Sequence, residues 1–131
     1  MIVVDASVLV GLTFNRDAYH ADALAARQRD PDWQAPTLIR SETRNVGRGY
    51  LRKGEAFGTV GAAIKAASSA VTSHAMGDDE VMQVVKDGHL TAYGAEYVAL
   101  ARRLGCRLVT TDTDILEHYS DESISLADFV A

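Results

Sequence analysis

The chain has 131 residues, 47% hydrophobic and 24% charged, the size and make-up of one globular domain that folds without staples. Its single cysteine, Cys106, excludes an internal disulfide, argues against a zinc cluster and fits a reducing, cytoplasmic setting. A net charge of −5 argues against a general nucleic-acid binder, so any contact with RNA must come from a local patch.

Met1-Ile2-Val3-Val4-Asp5 has no cationic segment ahead of a long apolar run, so it reads as a strand and not as a secretory leader. No apolar stretch approaches the ~18 residues of a membrane span. Ile2 to Val4 is β-branched without alternation, the pattern of a strand buried on both faces of a parallel sheet. Ser7 to Phe14 and Ala18 to Arg29 read as helices, the second ended by Asp30-Pro31-Asp32. Trp33 to Pro36 reads as a brief strand. A long helix from Thr37 to Lys53 stops at Gly54, and Ala-rich Glu55 to Ala75 follows at helical spacing, weakened by Gly58 and Gly61. Gly77-Asp78-Asp79 is a turn, and Glu80 to Lys86 a short helix stopped by Asp87-Gly88. Thr91 caps a helix over Ala92 to Leu104, with Gly105 just past its end. Arg107 to Thr111 is the next strand, Asp114 to Tyr119 a short helix, Ser123 to Leu126 a last strand, and the tail is apolar. Strands separated by helices predict an α/β fold, a twisted parallel sheet of four or five strands flanked by helices, in a single domain over 1–131.

The acids carry the chemistry. Asp5 and Asp112 each directly follow a buried strand, and open α/β sheets bind ligands outside the carboxyl ends of their strands. The plainer reading is that each caps the helix or turn after it. On a helical wheel of Thr37 to Lys53, Leu38, Ile39, Val46, Gly49 and Tyr50 share one side, with Glu42 in its middle. Arg40, Arg44, Arg48 and Arg52 cover the other side, either as a contact for an RNA backbone or as a solvated face. An inward carboxylate is costly unless it is paired or bound to a metal. Three inward acids suggest a divalent cation, and carboxylates without His or Cys favour Mg²⁺ or Mn²⁺ over zinc. Such an ion permits activation of a water nucleophile and stabilisation of a leaving oxygen, as phosphodiester cleavage requires.

Other residues point less sharply. His20, His74, His89 and His118 share no metal-ligand spacing. Tyr93, Tyr97, Leu100 and Leu104 recur at helical spacing, as a core stripe or dimer interface would. No glycine-rich phosphate loop follows the first strand. A phosphotransferase using Asp5 as nucleophile would need a second acid two residues on, where this chain has Ser7.

The segments MIVVDASVLV (1–10), SETRNVGRGYLRKG (41–54) and LTAYGAEYVALARRLGCRLVTTD (90–112) together resemble the PIN-domain family, in particular the VapC toxins of bacterial toxin–antitoxin pairs. The resemblance implies a three-layer PIN-like fold and Mg²⁺- or Mn²⁺-dependent endoribonuclease activity. It also implies inhibition by a VapB-type antitoxin and a homodimeric state. Position by position, Asp5, Glu42 and Asp112 match the family's acids, Ser7 matches a small polar residue close to the metal, and Asp114 matches more loosely. The chain departs from the family at Gly94, where an Asp is usual. Glu96 substitutes poorly, since two helical positions turn a side chain by about 200°; it reads as an exposed partner of Arg102 or Arg103. Two functional expectations follow: a ribonuclease toxin lacking one family acid, or a catalytically impaired PIN-like protein that binds RNA or an antitoxin without cleaving.

Overall fold

The apolar run Ile2–Val4 forms a strand, β1, and all three of its residues are buried. It is the middle strand of a five-stranded parallel sheet in the order β3-β2-β1-β4-β5. The other strands are Trp33–Pro36 (β2), Thr72–His74 (β3), Leu108–Thr110 (β4) and Ser123–Ser125 (β5). The computed structural model describes residues 1–131. Sequence register places Val3 beside Gln34's strand on one side and Leu108 on the other.

The helices follow from the connections. Ala6–Thr13 (α1) and His20–Arg29 (α2) link β1 to β2; Leu38–Arg52 (α3) and Phe57–Ala70 (α4) link β2 to β3. Asp78–Val85 (α5) and Ala92–Leu104 (α6) lead back across the sheet to β4, Thr113–His118 (α7) leads to β5, and Leu126–Val130 (α8) closes the chain. Right-handed crossovers that travel in opposite directions put their helices on opposite faces. Accordingly α6 packs over β1, β2 and β4 with α5 against it, whereas α1 packs with α2, α3 and α4, and α8 with α2. One core holds the sheet and both layers, with Val3, Val4, Val8, Trp33, Val98, Leu100 and Leu108 almost wholly inaccessible.

The strands and helix boundaries depart from the sequence reading in three places; Asp78 and Asp79, read as part of a turn, open α5, where the helix dipole favours acids. The predicted helix Glu55 to Ala75 is shorter, and its end is the edge strand β3, paired with β2 through Gln34 and Thr72. That strand, Thr-Ser-His, has no apolar alternation because it is exposed to half-buried at the sheet's rim. The apolar tail is a helix, α8, capped by Ser125 through the Asp128 amide. On α3 the buried line is Ile39, Thr43 and Gly47, about 100° from the face centred on Glu42. Gly47 sits at a close approach of α3 and α4: a Cβ would lie 3.1 Å from both Ile64 Cδ1 and Val60 Cγ1, so those side chains would have to shift by a few tenths of an ångström to admit it.

Candidate active site: an acidic cleft at the strand ends

Parallel pairing of β1 with β4 brings Asp5 and Asp112 to one edge of the sheet, where the order reverses between strands that lead outward in opposite directions. The helix α3 starts at the same edge after β2, and α6 begins there on the other face. A cleft of about 620 Å³ opens among these ends, lined by Asp5, Ser7, Glu42 and Asp112 with Ser41, Asn45, Tyr93, Gly94 and Tyr97. The three sequence-predicted acids therefore share one cavity. Asp114 is exposed and does not line it; its amide N–H instead donates to Asp112 Oδ1 at 2.9 Å.

Both strand-end acids are helix caps as well as cleft residues. Asp5 Oδ1 accepts from the Val8 amide at 3.1 Å and from Ser7 Oγ at 2.6 Å, while Thr110 Oγ1 donates to Oδ2. The same Thr110 hydroxyl accepts from the Asp112 amide at 2.9 Å, so one side chain ties the two strand ends together. Asp112 Oδ1 caps α7 through the amides of Asp114 and Ile115. Ser7 Oγ also lies 2.7 Å from Thr111 Oγ1. Glu42 is half-buried, and its Oε1 accepts from the Tyr97 hydroxyl. One oxygen each of Glu42 and Asp112 has no protein partner.

Charge is unbalanced in this cleft. No Lys, Arg or His lines it. Burial raises the pKa of Asp5, against the lowering effect of its Ser7, Thr110 and Val8 hydrogen bonds, and the Asp112 charge raises it further. Burial likewise raises that of Glu42, against its Tyr97 bond, with Asp5 adding repulsion. Tyr97 is held strongly in its neutral form by burial and by the Glu42 carboxylate that its hydroxyl faces. A second cavity of about 480 Å³, beside the stacked rings of Phe14 and Tyr50, shows the contrast: its one carboxylate, Glu55, is paired with Arg16 at 2.7 Å.

The donor chemistry of the acidic cleft fits a hard divalent cation, being all oxygen and without a countercharge. The fit lies in the donor types: no three His, Cys, Asp or Glu side chains stand already disposed around one point. Gly94 lines the cleft and has ordinary room for a side chain, a Cβ there meeting Leu90 Cβ at 3.7 Å.

Several residues fall differently from the sequence reading. Tyr93 is exposed and lines the cleft, so it does not belong to the buried line of Tyr97 and Leu100. Glu96 pairs with neither neighbour on α6: Arg102 pairs with Glu122 and Arg103 with Glu80, and Glu96 has its pKa raised by burial and by Glu42. Arg40, Arg44, Arg48 and Arg52 are all exposed, none in an ion pair, and Arg40 reaches Ser73 Oγ at 3.5 Å. Sequence reading missed Thr110, Thr111, Ser41 and Asn45. The visible signal was the pair of threonines that follows Leu108 and Val109 just before Asp112. Tyr97 was visible only as apolar spacing, although a buried phenol needs an acceptor.

Comparison with known proteins agrees with this architecture. The PIN domain family model matches residues 2–121. The chain superimposes on the crystal structure of PAE2754 from Pyrobaculum aerophilum with a TM-score of 0.75 at 24% identity, covering 98% of this chain and 92% of that one. It superimposes on VapC20 of Mycobacterium tuberculosis, described as a sarcin–ricin loop-cleaving toxin, with a TM-score of 0.66 at 19% identity, covering 92% and 94%. Among curated proteins, none matches the sequence significantly.

Proposed function

Because the chain belongs to the PIN-domain family, we propose that it is a metal-dependent endoribonuclease acting as the toxin of a VapBC-type toxin–antitoxin pair. The observation that carries this reading is the one cleft that Asp5, Glu42 and Asp112 all line, with no cationic side chain among its lining. Asp5 is buried, Glu42 half-buried and Asp112 exposed; carboxylates drawn out of water are tolerated when a cation joins them. The fold likeness to a toxin described as cleaving the sarcin–ricin loop supports the same class of substrate.

In this reading Asp5, Glu42 and Asp112 hold Mg²⁺ or Mn²⁺. When bound, such an ion supplies activation of water and stabilisation of the leaving oxygen. The rest is performed by the chain's own side chains. Ser7 and Thr110 fix both oxygens of Asp5. Tyr97 fixes one oxygen of Glu42 and leaves the other free. Arg48 and Arg44, with Arg40 further round the helix, offer exposed charge to the phosphates. A VapB-type antitoxin and a homodimeric assembly are the partners the reading brings with it. No helix is long and apolar enough to cross a membrane.

Gly94 favours a second reading, a PIN-domain protein that binds RNA or an antitoxin without cleaving it. One experiment separates the two: cleavage of RNA by the purified chain with Mn²⁺, with EDTA, and with Asp5→Asn or Glu42→Gln. The nuclease reading expects cleavage that EDTA abolishes and that each substitution lowers by more than about a hundredfold, since even outer partners of a metal ligand are worth 10–100-fold. Undiminished cleavage in EDTA or by Asp5→Asn overturns the site. Absence of cleavage together with retained RNA binding establishes the second reading.

A further inference from the structure

We propose that Tyr93 is a stacking platform for one unpaired nucleobase of the strand that enters the acidic cleft. The proposal rests on the nuclease reading and deepens it, because it specifies single-stranded over duplex RNA.

Tyr93 is the second residue of α6 and is 65% exposed, although it is a large aromatic ring. Its ring takes no part in the aromatic pairs Phe14–Tyr50, His89–His118 and His89–Tyr119. It lines the same cleft as Asp5, Glu42 and Asp112. Gly94, beside it, carries no side chain, so nothing from that position separates the ring from the cleft. A lone exposed aromatic is ordinary on a protein surface; one at the lip of a carboxylate cleft is placed to meet whatever enters.

The opposite wall says what that is. Ser41 and Asn45 line the cleft from α3. At 100° per residue, Ser41, Asn45, Arg48 and Arg52 fall within about 60° of one another. The polar wall therefore continues along α3 as two exposed arginines without ion-pair partners. Hydroxyl, amide and guanidinium groups in a line suit a sugar–phosphate backbone, and the ring across from them suits a base. A cleft of about 620 Å³ has room for a nucleotide-sized ligand. Bases in a duplex are already stacked on both faces, so an exposed ring selects a loop, bulge or end.

The test uses the full chain in Ca²⁺, which holds the acids' countercharge without supporting turnover, and a short fluorescein-labelled single-stranded RNA followed by anisotropy. Tyr93→Ala is expected to weaken single-strand binding by about five- to a hundredfold, the range for loss of one stacked base. Tyr93→Trp is expected to keep it, with the indole emission quenched when the RNA is added. Duplex RNA affinity, Mn²⁺ affinity and the melting temperature are expected to stay at wild-type values. Wild-type single-strand affinity in Tyr93→Ala overturns the proposal and leaves the ring to a protein partner, as does equal weakening toward duplex and single strand. Failure of the wild-type chain to bind both Mn²⁺ and RNA would instead sink the nuclease reading, and this inference with it.

Discussion

Gly94→Asp tests whether the cleft holds a cation that a fourth carboxylate would share. Residue 94 is the third of α6, and its amide N–H donates to Thr91 Oγ1 at 3.2 Å. A side chain there makes only ordinary contacts, with Leu90 Cβ at 3.7 Å and Thr91 Oγ1 at 3.8 Å. Replacing glycine in a helix by Asp gains about 0.4 kcal/mol of propensity. A carboxylate in the first turn adds about 0.5 kcal/mol from the helix dipole. Against this stand three acids in the same cleft; one carboxylate at ~8 Å opposes the new charge by about 2 kcal/mol at an effective dielectric constant of 20. Without metal the variant should be less stable than wild type by at least about 1 kcal/mol, the net of one such repulsion against the two gains. With Mn²⁺ the order changes, because each tenfold gain in affinity adds about 1.4 kcal/mol at saturation. The Mn²⁺-induced rise in melting temperature should exceed that of wild type by about 4 °C for a domain of this size. Thermal melts in EDTA and across a Mn²⁺ titration, with calorimetric affinities, read both effects. An equal Mn²⁺-induced shift in the two proteins would show that position 94 faces no ion shared with Asp5, Glu42 and Asp112.

Two further outcomes are expected. Tyr97→Phe removes the donor that fixes Glu42. Water replaces part of that bond at a half-buried acid, so urea melts should show a loss of about 1 kcal/mol, with Mn²⁺ affinity lowered severalfold; unchanged Mn²⁺ affinity would show that Glu42 needs no orienting partner. For the metal-free chain, Asp5 and Glu42 both have folded pKa values raised, chiefly by burial, with the Asp112 charge adding to the first and the Asp5 charge to the second. A raised carboxylate contributes stability that is present below its unfolded pKa, near 4, and lost as pH rises through the folded value. Melts in EDTA should therefore show relative stabilisation on acidification from neutral pH toward the ordinary carboxylate range, reduced in Asp5→Asn. A wild-type pH profile in Asp5→Asn would refute this assignment.

The sequence shows most where one physical rule dominates. Ile2–Val4 reads as a buried strand because nothing but two-sided burial calls for an unbroken β-branched run, and Thr91 and Gly105 bracket α6 because capping is local. The edge strand β3 is illegible because Thr-Ser-His owes its pairing to β2, a tertiary partner, and to no pattern of its own. In the site, Asp5, Glu42 and Asp112 stand out as acids where apolar neighbours are expected. Ser41, Asn45 and Thr110 do not, since short polar side chains are at home on almost any surface and acquire meaning only from what lies opposite. Asp5 illustrates why capping and ligand readings never competed: the carboxylate that receives the Val8 amide is the one that lines the cleft.

Thr110 carries a consequence for synthesis. Its hydroxyl joins Asp5, near the start of the chain, to the backbone of Asp112, and the two strands it links are adjacent in the sheet though more than a hundred residues apart in sequence. A nascent chain emerging from the ribosome carries Asp5 and Glu42 early. It can complete neither the central strand pair nor the cleft until β4 follows. Translation that stalls ahead of that point leaves a fragment with two of the acids and no scaffold to join them.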